Sequence, residues 1–228
     1  MNFDDKQFEQ LVKKSRRKRL INTLFGSTFS IIFLAVILLG GYLFYWNLGP
    51  FQGEKVAGVP DGQIRSFTEN ENGHLVSLLL DYYGSYGFNV KGKKITVYAD
   101  YYEKDKRISH EEVAGIENEE VGMISETLSW GVIGSNNQPK EVIIQFTDTS
   151  GQSKSSFNFS MFGENAASDF AFSSFNLIGN GTLLPNKRYI LQYWTTGGRG
   201  YSSETIAAAD KETLIESGKT VILYFEVS

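Results

Sequence analysis

The histidines of this chain do not form a recognisable metal-binding motif. The sequence holds two histidines, His74 and His110, and only the neighbouring Glu111 and Glu112 lie at ligand spacing from either of them. Zinc requires three or four converging ligands, and the chain has no cysteine to supply a thiolate. We therefore predict no metal site and no cofactor.

Nucleophilic and acid–base catalysis leave equally weak signals in the sequence. A Ser-His-Asp triad assembles only in three dimensions, but the chain has no Gly-x-Ser-x-Gly elbow and no cysteine nucleophile. We predict that the protein is not an enzyme, and a membrane-tethered wall hydrolase is the alternative. Its paired carboxylates would come from a crowded acidic stretch that contains Glu117, Glu119, Glu120 and Glu126.

A glycine-rich stretch is the most distinctive local sequence in the carboxyl-terminal half. It runs from Gly197 to Gly200, contains Arg199 and is flanked by Trp194 and Tyr201. Phosphate-binding loops have a longer motif between a strand and a helix, so a flexible connection between strands is the simpler interpretation. We nevertheless predict that Trp194, Arg199 and Tyr201 form a recognition patch for a ligand.

The location of these residues depends on an apolar segment near the amino terminus. After Arg19 the chain has no Asp, Glu, Lys, Arg or His until Glu54, and the apolar part runs from Leu20 to Trp46. As a helix it would reach roughly 40 Å, which exceeds the hydrocarbon thickness of a bilayer. We predict a single transmembrane helix over residues 20–46. A cleaved signal peptide is the alternative, but its apolar region is shorter and is followed by small residues.

Charged and aromatic residues at the two ends of this helix indicate its orientation. A basic cluster precedes the helix, and aromatic side chains close its far end. The positive-inside rule places residues 1–19 in the cytoplasm as a basic tail, and everything after the helix outside the plasma membrane. The predicted membrane-interface residues are Arg16, Arg17, Lys18, Arg19, Tyr42, Tyr45 and Trp46.

The charge of the outward part excludes some partners. The first 19 residues hold seven Lys/Arg against three Asp/Glu, whereas the remainder holds fifteen against twenty-three, a net charge of −8. An acidic domain disfavours nucleic acid as a partner. Because an exported domain without cysteine depends on its core rather than on disulfides, we expect a bacterial surface. The predicted partners are the membrane and another envelope or membrane protein.

The outward part is predicted to be rich in β-strands. Residues 47–63 contain several glycines and two prolines and are predicted to be a juxtamembrane linker, and residues 64–228 form the extracytoplasmic domain. Alternation of apolar and polar residues with period two predicts its strands, and their spacing indicates an antiparallel β-sandwich or jelly roll. The main strands are residues 94–102, 141–147, 157–161, 188–194 and 220–227. Shorter candidates are residues 74–83, 122–130 and 170–177.

Two segments fit a helix as well as a strand or loop. Residues 203–217 contain three consecutive alanines and end at Gly218, as helices often do. Residues 74–83 carry a leucine-rich stripe that fits a helix or a buried strand. An α+β domain is therefore the alternative fold.

The amino-terminal segment resembles a known family. Phe3-Asp4-Asp5, Phe8 and the run from Leu11 to Arg19, followed at once by the apolar helix, resemble the start of membrane-bound sigma-factor regulators of Gram-positive bacteria. The resemblance covers about 45 residues. It implies a cytoplasmic tail that contacts a sigma factor or a membrane subunit, and an outward domain that senses the state of the envelope.

These observations lead to two expectations for function. The first is a bitopic envelope protein whose β domain binds a protein or a cell-wall ligand, as a sensor or as an assembly subunit. The second is a membrane-bound regulator that relays an envelope signal to a cytoplasmic partner such as a sigma factor.

Overall fold

A single long helix opens the structure. The computed structural model describes residues 5–67, 80, 82–135, 138–163, 170–175, 178–197 and 200–228, and helix α1 spans Asp5–Tyr45. Within the described residues, only its segment Phe25–Tyr45 is long and apolar enough to cross a membrane, and its apolar window contains no buried residue. The predicted apolar amino-terminal helix is thus confirmed, and it ends one residue before the predicted boundary.

The described part of the chain after the helix is mostly one antiparallel sheet. Its two longest strands, β2 (Tyr82–Glu103) and β3 (Lys106–Ser135), form a hairpin of 22 and 30 residues. The shorter strands are β1 (Gln63–Ser66), β4 (Gln138–Thr147), β5 (Gln152–Asn158), β6 (Phe172–Phe175), β7 (Gly181–Thr182), β8 (Tyr189–Thr195) and β9 (Lys219–Val227). Their order in space is β5-β4-β3-β2-β9-β8-β6, and β1 pairs with both β2 and β7.

The length of β2 gives it two successive neighbours along one edge. Its first part pairs with β1 and its second part pairs with β9, which is the carboxyl-terminal strand. Between the two parts the register of β2 and β3 shifts, because β3 residues 118–121 have only Lys93 opposite them. A bulge of this kind bends the strand and increases its twist.

The two ends of the sheet face each other across the main core. Trp130 of β3 donates its Nε1–H to Oε1 of Gln192 on β8 at 3.2 Å, although β2 and β9 lie between these strands in the sheet. The rings of Phe159, just after β5, and Trp194 of β8 lie 4.9 Å apart. The sheet therefore curls around its core as half of a barrel does. In a β-sandwich two separate sheets enclose the core. Here the two sides of one curled sheet enclose it.

Two short helices cover the outer face of β8 and β9. They are α2 (Ser203–Ala207) and α3 (Lys211–Ser217), and the side chains of Ser202 and Asp210 cap them by accepting backbone N–H groups. The chain breaks between them at Ala209, which has φ of +47°. Of the two possibilities left open for residues 203–217, the structure shows the helical one, as two helices. They bury a second apolar cluster of Tyr102, Ile190, Tyr193, Ile206, Leu214, Ile222 and Tyr224.

The carboxyl-terminal strand predictions agree with the structure, and the predicted hairpin is partly correct. Strands β8 and β9 match the predicted residues 188–194 and 220–227 to within one residue at each end. The predicted hairpin exists as β4 and β5. Its second strand was predicted at residues 157–161, which is wrong, because Phe159–Phe162 forms a 3-10 helix that turns two aromatic rings into the core.

The remaining strand candidates have different outcomes. Residues 94–102 and 122–130 lie inside β2 and β3, which are much longer than predicted. The candidate at residues 170–177 contains β6. Most of the candidate at residues 74–83 lies outside the described residues.

The connection between the helix and the sheet is packed against β2. Asn89 is fully buried, and its Nδ2 donates to the carbonyl oxygens of Val56 at 3.0 Å and Val59 at 2.6 Å, while its Oδ1 accepts the N–H of Val56 at 2.8 Å. Asn47 ends the helix with φ of +49° and donates from Nδ2 to the oxygen of Val59 at 2.7 Å. The predicted linker at residues 47–63 is therefore an ordered connection.

Replacing Asn89 with Ala should loosen this connection, because Val56 loses both of its hydrogen bonds to the amide. We expect the free energy of unfolding to fall by about 2–4 kcal/mol and residues 47–62 to be cleaved faster by protease. Urea unfolding followed by the fluorescence of the buried tryptophans, together with limited proteolysis, measures both effects. The matched control is Asn158→Ala on β5, at an exposed asparagine. Equal losses in the two variants would contradict this role of Asn89.

Candidate functional site

A cleft of about 670 Å³ lies beside the end of helix α1. Residues 51–55 of the juxtamembrane connection line one side of it. Residues 123–126 of β3 line a second side, residues 148–150 in the turn between β4 and β5 line a third, and Asn118 of the β3 bulge also borders it. The cleft thus joins the sheet, a hairpin turn and the segment that follows the apolar helix.

The cleft exists because β4 pairs with only part of β3. The pairing of these strands begins at Thr127 with Thr147, after which the chain turns at Asp148 into β5. Among the described strands, residues 106–126 of β3 have β2 on one side and no strand on the other. They present the kind of open strand edge to which another extended chain can add.

Two carboxyl groups in the cleft differ in acidity. Glu126 lies directly opposite the buried Phe88, on the core side of β3, and is half-buried. Burial, and then the negative charge of Asp148, raises the pKa of Glu126 to about 7. The pKa of Asp148 is lowered, because its carboxylate accepts hydrogen bonds from Ser150 and from the backbone N–H of Gly151. At neutral pH one carboxylate is therefore a fixed anion, and the other titrates.

The Glu126→Gln variant should remove a pH dependence of stability. The folded carboxyl keeps its proton up to about pH 7, whereas an ordinary glutamate loses it near 4.5, so the free energy of unfolding falls as the pH rises through this window. The variant should be more stable than the parent at about pH 8 by roughly 1 kcal/mol, a discounted value because solvent screens the half-exposed group. Below pH 4.5 the two proteins should differ little.

Urea unfolding in detergent micelles at several pH values measures this difference. Glu120→Gln, at an exposed position on the same strand, is the control and should leave the pH profile unchanged. A Glu126→Gln profile parallel to that of the parent protein would contradict the assignment.

A second polar centre lies on the outer face of β2, where Asp100 is fully buried. Nδ1 of His110 lies 2.6 Å from Oδ1 of Asp100, and the hydroxyl of Tyr102 donates to Oδ2 at 3.1 Å. The guanidinium groups of Arg107 and Arg188 lie 3.6 and 3.8 Å from Oδ2. These partners offset the loss of solvation that a buried carboxylate suffers.

The aromatic rings around Asp100 complete this centre. The His110 ring stacks on Tyr98 at 4.8 Å, and the guanidinium of Arg188 lies 4.8 Å from the centroid of the Tyr224 ring. Burial, and then the charge of Asp100, raises the pKa of the Tyr224 hydroxyl, which therefore stays protonated as a donor. The centre ties β2, β3, β9 and the start of β8 together, so we interpret it as structural.

Two residues of the predicted recognition patch, Trp194 and Tyr201, differ in exposure. Trp194 is fully buried against Phe159 and has no exposed area with which to contact a ligand. Tyr201 is half-buried, and its backbone N–H donates to the hydroxyl of Tyr193 at 2.7 Å. Arg199 lies outside the described residues. The ligand-binding role of Trp194, Arg199 and Tyr201 stays a prediction, and Trp194 serves the core.

The predicted membrane-interface residues are mostly exposed. Residues 16–19, Tyr42 and Tyr45 are exposed on α1. Trp46 is half-buried, because the guanidinium of Arg65 lies 4.7 Å from the centroid of its ring. The aromatic end of the helix therefore also contacts strand β1, and the position of these residues at a membrane surface stays a prediction.

The acidic residues considered for catalysis are dispersed. Glu117 forms an ion pair with Lys93 at 3.2 Å, Glu119 and Glu120 are exposed, and Glu126 alone lines the cleft. Of the two histidines, His110 contacts the buried Asp100, and His74 lies outside the described residues. Within the described ranges, no group of three or more His, Cys, Asp or Glu side chains is placed to hold a metal ion.

Sequence reasoning missed the two polar residues that organise β2. Asp100 and Asn89 alternate with apolar residues along the strand, which is the pattern of a solvated face. In the structure that face is covered, at Asn89 by the juxtamembrane connection and around Asp100 by Tyr224 and Arg188. A polar residue flanked by tyrosines, as Asp100 is by Tyr98, Tyr101 and Tyr102, was the available signal.

Comparison with known proteins provides no relative for this chain. No protein-family model, curated protein or solved structure matches it. The functional interpretation therefore comes from the sequence and from the geometry described above.

Proposed function

We propose that the chain is a bitopic protein of the cell envelope whose β domain binds a protein or a cell-wall ligand outside the plasma membrane. The observation that carries this proposal is the uncovered apolar segment Phe25–Tyr45. Its 21 residues are long enough to span the hydrocarbon core, and a protein in water rarely exposes so large an apolar surface. The basic residues 16–19 favour a cytoplasmic amino terminus.

The cleft beside the helix is the ligand site that we propose. An extended peptide can add to the open edge of β3 through backbone hydrogen bonds. The carboxylates of Glu54 and Asp148 border the cleft, together with the partly ionised Glu126, and favour a ligand that carries cationic groups. Lys55 also borders it, but its Nζ lies 2.7 Å from a carboxylate oxygen of Asp61.

A relay to a cytoplasmic partner is the second function, and the connection between helix and sheet supports it. Nε2 of Gln63 on β1 donates to the hydroxyl of Tyr45 at 3.2 Å, and Arg65 of the same strand stacks on Trp46. A ligand that shifts β1 would therefore displace the end of the helix. The resemblance of the tail to sigma-factor regulators suggests a sigma factor as the partner.

Single cysteines can report the orientation without interference, because the natural chain has none. In intact cells, Ser153→Cys on β5 should react with a membrane-impermeant maleimide, and Ser15→Cys should react only after the cells are opened, because the two sites lie on opposite sides of the bilayer. Both serines are exposed. Labelling of Ser15→Cys in intact cells, or release of the protein by lysis without detergent, would contradict the proposed topology.

Photo-crosslinking in native membranes tests the ligand site. A crosslinking residue at Thr149, exposed beside the cleft, should capture one discrete protein or wall component. The same group at Ile215, exposed on α3, should not capture that component. Equal capture from both positions would contradict a ligand site in the cleft.

Deletion of residues 2–12 separates the two functions. The basic cluster at residues 13–19 is kept, so that insertion and capture from Thr149 should persist. A relay requires that the deletion abolish the cellular response and the pull-down of the cytoplasmic partner. An unchanged response and pull-down would exclude the relay and leave the binding function alone.

A further inference from the structure

The chain turns back toward the apolar helix immediately after leaving it. Asn47 and Gly49 both have positive φ, at +49° and +56°, and together they reverse the direction of the backbone. The ring of Phe51 consequently packs edge-on against Phe44, with 5.7 Å between centroids. Phe44 belongs to the last turn of the apolar segment, so Phe51 lies level with that turn.

The β3 bulge lies across the cleft from Phe51. Phe51 and Met123 line the same cleft, and Met123 is separated from the bulged residues 118–121 of β3 only by Gly122. Three large apolar side chains are exposed here. Phe51 is 44% exposed, Met123 is 42% exposed, and Val121 within the bulge is 62% exposed. Phe51 and Met123 border one cleft, and Val121 lies two residues before Met123 on β3, so the three are neighbours and not isolated exposed apolar residues.

We infer that Phe51, Val121 and Met123 form a foot with which the β domain rests on the outer surface of the lipid bilayer. This inference rests on the proposed membrane insertion of α1. The foot is continuous with the apolar helix through the contact of Phe44 with Phe51. A bilayer surface is therefore the occupant already present beside these side chains, with no further partner required.

Charged residues of both signs surround the foot. Lys91 lies directly opposite Met123 in the β2–β3 pairing and is exposed, so its ammonium group can meet lipid phosphates while the apolar side chain enters the boundary of the acyl chains. Lys93 forms an ion pair with Glu117 beside the bulge. Glu119 and Glu120 are exposed next to Val121, and they limit the depth of insertion to the headgroup region.

Depth-dependent fluorescence quenching tests this contact in the full-length chain. Single-cysteine variants Val121→Cys, Ile108→Cys and Val36→Cys are labelled with bimane and reconstituted in phosphatidylcholine vesicles that carry a spin label near the headgroup end of the acyl chain or near its methyl end. Ile108 is the matched control, because it is a β-branched residue of the same strand and is 46% exposed. Val36 lies within the apolar helix segment.

We expect the shallow spin label to quench the probe at position 121 about fivefold more than the probe at position 108, because a foot at the acyl boundary lies within contact range of that label. The deep spin label should quench the probe at position 36. Unchanged tryptophan fluorescence of the core shows that each variant is folded.

The outcomes separate this inference from the proposed function. Loss of quenching at position 36 would overturn both, because the helix would then not be inserted. Quenching at position 36 with equal and weak quenching at positions 121 and 108 would overturn the foot alone. A blue-shifted probe at position 121 without lipid quenching would also overturn it, since that probe would be buried against protein.

Discussion

The pairing of β2 with β3 is the interaction on which the rest of the domain depends. Strands β1 and β9 are hydrogen-bonded to β2, β4 is hydrogen-bonded to β3, and every other strand reaches this hairpin through those three. The juxtamembrane connection is also held by a β2 side chain, that of Asn89. Strand β2 thus contacts both the juxtamembrane connection and the carboxyl-terminal strand β9. The hairpin therefore links the cleft, the core and the end of the apolar helix.

Sequence patterns were sufficient to predict the elements that depend on neighbouring residues alone. An uninterrupted apolar stretch behind a basic cluster identifies a helix that can cross a membrane, and alternation located β8 and β9 to within one residue at each end. The lengths of β2 and β3 were not predictable, because Gly92 and the bulge at residues 118–121 interrupt the alternation in the middle of both strands. The curl of the sheet was equally hidden, since it depends on Trp130 meeting Gln192 across the core.

The candidate site was less predictable than the fold. Two features define its cleft: β4 stops pairing with β3 at Thr127, and Asn89 orders the juxtamembrane connection. Neither feature produces a recognisable pattern in the local sequence. The two aromatic residues of the predicted recognition patch have different surroundings. Trp194 is buried in the core, on the face of the sheet opposite α2, whereas Tyr201 is half-buried. The sequence singles out Glu126 only for the acidic residues around it. Its raised pKa depends on burial beside Phe88 of β2 and on the charge of Asp148 in the turn after β4, and both residues are distant in sequence.

The place of β9 has a consequence for how the domain folds. This strand follows the other described strands in the sequence but pairs with β2 and β8 in the interior of the sheet, so the two halves of the sheet are joined only when β9 is in place. Until then the inward edges of both halves are unprotected and prone to mispairing, and the closing contacts span long stretches of sequence. Because contacts between distant segments form slowly, we expect the docking of β9 against β2 to limit the rate at which this sheet folds.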